Sequence, residues 1–249
     1  MLASGLLQLK LIPSIRGASQ VQTTLSLLHA ALYIFYGARL CGFLLYRQCK
    51  LPEEIHQMKP RDASLAERLK RLPIIMACSL MYFCMAAAPM RTLMLVSSTS
   101  PTNNNGIMLG MATLVVGFAG FLLAAVGDWY KSKIKARDGA HVLVTSGPFR
   151  YFRHPNYTGE IIGWTCSCLL LPVMVSVCVW DVRIRRVMIP WLISSALGWA
   201  GIVFGVLAGE ATGGLERKQR EKYGGTPEYE KWIKSSWSGP MLGSGSDAS

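Results

Sequence analysis

The residues best suited to chemistry form one run: Gly147-Pro148-Phe149-Arg150-Tyr151-Phe152-Arg153-His154-Pro155-Asn156-Tyr157-Thr158-Gly159-Glu160. Pro155 suits the first turn of a helix, where a missing N–H costs nothing, so His154 falls near the cap. Asn156 and Glu160 then stand four apart and His154 and Tyr157 three apart, and each pair shares a helical face. A helix start offers free N–H groups and a positive dipole end, and Arg150 and Arg153 add charge. The chemistry predicted is recognition of an anionic group such as a phosphate. The competing reading is a basic turn beside a membrane, touching lipid phosphate. Neighbouring positive charge disfavours a protonated imidazole. His154 is therefore expected as a neutral hydrogen-bonding ligand rather than an acid.

Three further groups stand out. In Asp128-Trp129-Tyr130-Lys131-Ser132-Lys133-Ile134-Lys135, the residues Asp128, Lys131 and Lys135 share a helical face. They complete an anion site or snorkel as ordinary interfacial lysines. Inside the first apolar segment lie His29, Tyr33, Tyr36 and Arg39. Intramembrane polar groups are costly and usually face a protein interior or a wet cavity. Tyr33 or Tyr36 is a candidate proton donor, against the alternative of a satisfied core tyrosine. Towards the C-terminus, Glu210, Glu216, Arg217, Tyr223, Tyr229, Trp232 and Trp237 interleave acid, base and aromatic. They read as part of the site or as an amphipathic interfacial helix with aromatic anchors. Glu216 and Arg220 fit a simple i,i+4 pair.

The elements that position these residues are apolar. The chain is 51% hydrophobic and 16% charged, against about 25% charged for a soluble domain, and its charges are clustered. Five segments of about 20 residues follow: Thr24 to Tyr46, Pro73 to Val96, Gly106 to Gly127, Thr158 to Trp180 and Val187 to Gly209. Each is long enough to cross a hydrocarbon core of about 30 Å as a helix. No alternation of the kind a β-span needs is visible. The expected fold is all-α: a polytopic integral membrane helical bundle of about five transmembrane helices with a cytosolic C-terminal amphipathic segment. Residues 24–240 form its single domain. Residues 1–23 read as a targeting or frayed segment, and 241–249 as a flexible tail.

Loop charge sets the orientation. Residues 47–72 hold seven Lys/Arg, 128–156 hold six and 210–249 hold six, whereas 97–105 hold none. The positive-inside rule places the basic stretches in the cytosol. Asp181 to Arg186, with three arginines, runs against that rule, and Pro172 weakens the fourth helix. Segments three, four and five are expected to gather Asp128, His154 and Glu210 at one membrane face, around a cavity open to the cytosol.

The net charge of +12 belongs to loops between apolar segments. It reads as orientation and contact with anionic headgroups, not nucleic-acid binding. Of seven cysteines, six lie inside apolar segments and none forms a CxxC pair. Neither a metal site nor a disulfide framework is supported. No P-loop or GxGxxG is present.

At Arg153 to Glu160 the chain resembles a superfamily of membrane enzymes with two chemistries. Isoprenylcysteine carboxyl and phospholipid methyltransferases share the Leu143 to Gly159 pattern, an LVTSGPFRY-like run followed by RHPxYxG. Steroid 5-alpha-reductase-like proteins carry HPNYxGE, matched here by Asn156 and Glu160. Arg39 to Arg47 is similar to their RLGxxLxxR stretch, and Asp128 to Lys131 to their DxQK. Leu215-Glu216 and Lys222-Tyr223-Gly224 with Tyr229 also fit. The likeness to the steroid 5-alpha-reductase-like C-terminal domain family covers roughly residues 25–240. It implies an NADPH-dependent oxidoreductase reducing a C=C bond of a steroid- or isoprenoid-like lipid. Asp128, Lys131, Arg150, Arg153, His154, Asn156, Tyr157, Glu160, Glu216, Tyr223 and Tyr229 would bind the cofactor, and Tyr33 or Tyr36 would be catalytic. The alternative is methyl transfer from S-adenosylmethionine to a lipid or isoprenylcysteine carboxylate, and a third reading is a non-catalytic protein that keeps the fold. Expected partners are a lipid-like substrate and membrane lipids. The expected compartment is the endoplasmic reticulum, with plastid or mitochondrial membranes as alternatives.

Overall fold

The computed structural model describes residues 1–11, 20–50, 65, 69–70, 72–96, 104–139, 141–178 and 182–238. Among them the fold is almost wholly helical. It comprises α1 (Leu2–Leu11), α2 (Gln20–Lys50), α3 (Leu72–Val96), α4 (Asn104–Asp138), α5 (Pro155–Cys178) and α6 (Val182–Ala200). The chain then widens into π-type turns over Gly201–Gly213 and closes with α7 (Gly214–Tyr223) and α8 (Pro227–Ser235). The described residues contain no strand, only an isolated bridge between Phe152 and Trp237. Among the described residues three stretches are long and apolar enough to cross a membrane: Thr23–Cys49, Asn105–Asp138 and Met188–Leu207. The expected flexible tail, the stretch 97–103 and Asp181 lie outside the described residues, as does the side chain of Glu210.

Two compact units organise the chain. The first combines Met1–Arg39, Leu72–Ala119 and Ile162–Ile202. Its core is aromatic. Leu25, His29, Leu32, Tyr33 and Tyr36 are buried on one face of α2, at the spacing of a helical stripe. Tyr33 and Tyr36 meet Trp164 of α5, which is fully buried and stacks edge-on to Tyr36 at 4.8 Å between ring centroids. α3 packs against α6, and Gly198 lies against the Met81 carbonyl and Cys84. Outward-facing residues are apolar: Leu80 is 61% exposed, Phe83 63% and Leu197 68%. Apolar surface of this extent suits contact with hydrocarbon, not water. Pro172 does not end its helix, because α5 runs unbroken from Pro155 to Cys178.

The second unit combines Leu40–Arg71, Gly120–Ile161 and Val203–Ser249. Here α4 runs past the predicted end of its apolar segment at Gly127 and reaches Asp138. Lys131, Lys133 and Lys135 are good helix formers, and basic residues complement the dipole at a helix end. The helix closes where the Gly139 N–H meets the Lys135 carbonyl at 3.0 Å. At 35 residues, α4 is about 52 Å long, against a hydrocarbon core of about 30 Å. Its final turns bear Lys131 and Lys135.

Candidate functional site

The site grows from the segment between α4 and α5. Ser146 leads into a short 3-10 turn, Gly147–Arg150. Gly147 has φ +61°, and a Cβ there would stand 2.5 Å from the Tyr130 ring, so only glycine fits. Beyond the turn the chain is held by the C-terminal stretch. Trp237 N–H donates to the Tyr151 carbonyl at 2.8 Å, and Arg153 N–H donates to the Trp237 carbonyl at 2.8 Å. Trp232 Nε1 donates to the Phe149 carbonyl at 2.6 Å. Tyr229 and Trp232, three apart on α8, are both buried. Trp232 is therefore seated on the motif rather than on a membrane surface.

α5 begins at Pro155, and its first bond runs from Thr158 N–H to the His154 carbonyl at 2.9 Å. His154 thus caps the helix, as its neighbour Pro155 predicts. Gly159, one turn on, meets the Gly120 carbonyl and Ala124 of α4 so closely that a Cβ would collide with both. The two helices approach through small residues, as is common in membrane bundles.

Arg153 and His154 converge on one acid from α7. Arg153 Nη1 donates to Glu216 Oε2 at 3.2 Å, and His154 Nε2 donates to Glu216 Oε1 at 2.7 Å. Arg153 is 7% exposed and His154 1%. Burial pushes the His154 imidazole below its ordinary value. The Glu216 hydrogen bond opposes that shift, and Lys131 and Arg153 reinforce it. Burial would raise the Glu216 carboxyl, but His154, Arg153 and Arg220 together hold it below its ordinary value. An ionised Glu216 can only accept. A neutral His154 therefore carries its proton on Nε2 and leaves Nδ1 as an acceptor. Arg153 Nε is buried without a partner among the described residues. An unsatisfied buried donor costs about 1–3 kcal/mol, which a bound acceptor would recover. The residues present thus fit a phosphate- or carboxylate-bearing cofactor.

The remaining candidates surround this core. Tyr229 is linked to Arg220 and feels Glu216 and Arg153. The Tyr157 ring lies 6.2 Å from that of His154, and its electrostatic neighbours are Asp128, Glu160 and Arg47. Lys131 is close enough to act on His154. Tyr223 donates to the His141 carbonyl at 2.6 Å. Asn156 is half-buried and Arg150 exposed. Tyr33 and Tyr36 belong to the first unit. The Tyr33 hydroxyl donates to the Met85 carbonyl at 2.9 Å and shares a 2.7 Å hydrogen bond with Ser167.

Helical spacing suggests Arg220 as a partner of Glu216, whereas its hydrogen bonds reach residues 62 and 63 positions earlier. The bond of Trp232 to the Phe149 carbonyl joins residues 83 apart. Nothing in local spacing marks them. Among the described residues no three His, Cys, Asp or Glu groups gather as a metal site.

No curated protein and no solved structure matches the chain. A family profile described as "Protein of unknown function (DUF1295)" matches residues 7–236. That match spans nearly the whole sequence, so the chain belongs to the DUF1295 family.

Proposed function

We propose that the protein is a membrane-embedded, NADPH-dependent oxidoreductase of the steroid 5-alpha-reductase-like type, acting on a C=C bond of a steroid- or isoprenoid-like lipid. The observation that carries this reading is the buried Arg153–His154–Glu216 cluster at the start of α5. It sets an orphaned guanidinium N–H and an imidazole acceptor within the HPNYTGE motif. In this reading all five apolar segments span the bilayer, and the basic stretches face the cytosol of the endoplasmic reticulum.

NADPH, when bound, supplies the hydride. Arg153 would hold a phosphate or carboxamide oxygen through Nε. His154 would accept a hydrogen bond from a ribose hydroxyl or an amide N–H at Nδ1 while Glu216 fixes its tautomer. Asn156 and Glu160 orient polar groups of the same cofactor. The candidate donors of the proton that reduction of a C=C bond needs beside the hydride would be Tyr33 and Tyr36.

The run Leu143 to Tyr151 favours a second reading, methyl transfer from S-adenosylmethionine. One experiment separates the two. Purified protein in detergent is melted against rising NADPH and, separately, rising S-adenosylmethionine. Ligand that binds only the folded state raises the melting temperature with concentration. NADPH is expected to do so, and His154→Gln to weaken its binding about ten-fold while the saturated rate holds. No response at millimolar NADPH, or a response to S-adenosylmethionine alone, overturns the reductase reading.

A further inference from the structure

The first unit carries a groove of about 530 Å³ between α3 and α6. Leu80 and Met81 of α3 line it, with Pro190, Ile193, Leu197 and Gly198 of α6. Gly198 lets the two backbones come close: a Cβ there would stand 2.8 Å from the Met81 carbonyl oxygen. Leu80, Ile193 and Leu197 are each more than half exposed along it. The α6 residues of the groove all lie within Met188–Leu207, a stretch long and apolar enough to cross a membrane. In hydrocarbon an unpaired polar group costs several kcal/mol, so what fills the groove at that depth is an aliphatic chain. The volume lies in the range of about 300–1,000 Å³ that small-molecule sites occupy.

The end of the groove identifies the rest of the ligand. Arg186 lies two residues before the apolar stretch begins at Met188 and is exposed. It precedes Pro190, Ile193 and Leu197 by four, seven and eleven positions, a spacing that puts all four on one face of α6. Because α6 continues as a helix through Pro190, the Arg186 backbone is about 6 Å along the axis from the groove's nearest lining residue. A guanidinium just outside the hydrocarbon, in line with an apolar groove, complements an amphiphile with an anionic head and an aliphatic tail. An arginine at a helix end otherwise snorkels to whichever phosphate is nearest, and a groove beneath it is what would retain one lipid. We infer that the α3–α6 groove is a binding site for an anionic phospholipid, with an acyl chain along the groove and the phosphate at Arg186. The site needs neither Arg153 nor His154, so it stands whether or not NADPH binds. It also accounts for the basic stretch 181–186, which runs against the positive-inside rule.

The test uses full-length protein in a neutral detergent, titrated with palmitoyl-oleoyl phosphatidylglycerol or with phosphatidylcholine of the same chains and read by native mass spectrometry. Wild type is expected to retain one phosphatidylglycerol per chain. It should prefer that lipid to phosphatidylcholine by about ten-fold, the factor that one charge-assisted hydrogen bond supplies. Arg186→Gln should abolish the preference and leave phosphatidylcholine binding unchanged. Ser194→Phe, which fills the groove from its α6 wall, should lose both lipids. Lys234→Gln, at an exposed lysine on α8, should change neither. Arg186 is exposed, so Arg186→Gln decides the matter even where Ser194→Phe does not fold. Equal retention of the two lipids by wild type, an undiminished preference in Arg186→Gln, or the same loss in Lys234→Gln overturns the inference. So does a folded Ser194→Phe variant that keeps its lipid, or a lipid-free wild-type dimer that Ser194→Phe splits, which would make the groove an interface between two copies of the chain.

Discussion

Glu216 carries two hydrogen bonds to cationic or imidazole donors, from Arg153 and His154, so its protonation state is coupled to folding. Its folded value is depressed, and so is that of His154. A depressed folded value means that the unfolded chain binds protons first. Stability is then full above the unfolded value and lost as pH falls. Acidification should therefore destabilise the protein in two stages, first below the ordinary histidine value of 6.5 and then below the carboxylate value of 4.5. Glu216→Gln should cost about 1–3 kcal/mol at pH 7. The gap to wild type should close as pH drops through the carboxylate range. Melting curves between pH 7 and pH 3 check this. A gap that stays constant, or widens on acidification, refutes the coupling. The acid was recognisable in the sequence as a candidate, but its partner was not. Residues four apart on a helix suggest themselves, whereas residues 62 apart do not.

The close approach of α4 and α5 sets the position of the His154 cap. Gly159 lies against the Gly120 carbonyl and Ala124, with no room for a side chain. Gly159→Val should force the helices apart, at a cost of about 1–3 kcal/mol, the range for overpacking. It should also weaken binding at Arg153, because the cap moves with α5. Thermal melting with a parallel NADPH titration measures both effects. A variant as stable as wild type would show that α5 tolerates displacement. The helices themselves were legible: five apolar runs fell where α2, α3, α4, α5 and α6 with its π-type extension are found. Their ends were less so. α4 gained about three further turns because lysines favour helix as well as water. The role of Trp232 stayed open between site and membrane anchor, because an aromatic at helical spacing fits a membrane surface and a protein surface equally well.

Across the whole molecule, charge distribution makes the strongest prediction. If 47–72 and 128–156 face the cytosol, Cys49, exposed at the end of α2, should react with a membrane-impermeant maleimide in sealed vesicles whose cytosolic side faces out. Ser146→Cys should react as well, because Ser146 is exposed. Thr102→Cys, in the uncharged stretch 97–105, should react only after detergent is added. The reverse pattern would invert the orientation and place the His154 cluster on the other side of the membrane.

The amino-acid sequence alone determined the helical class, the apolar runs and the start of α5 at Pro155. These depend on local composition and on periodicities of a few residues, which a linear reading can see. Tertiary structure decided which acid meets His154, why Gly147 and Gly159 are glycine, and that α3 and α6 enclose a groove. Those facts depend on contacts between residues tens of positions apart. Only packing of helices against one another selects such contacts from the many that the same residue types allow.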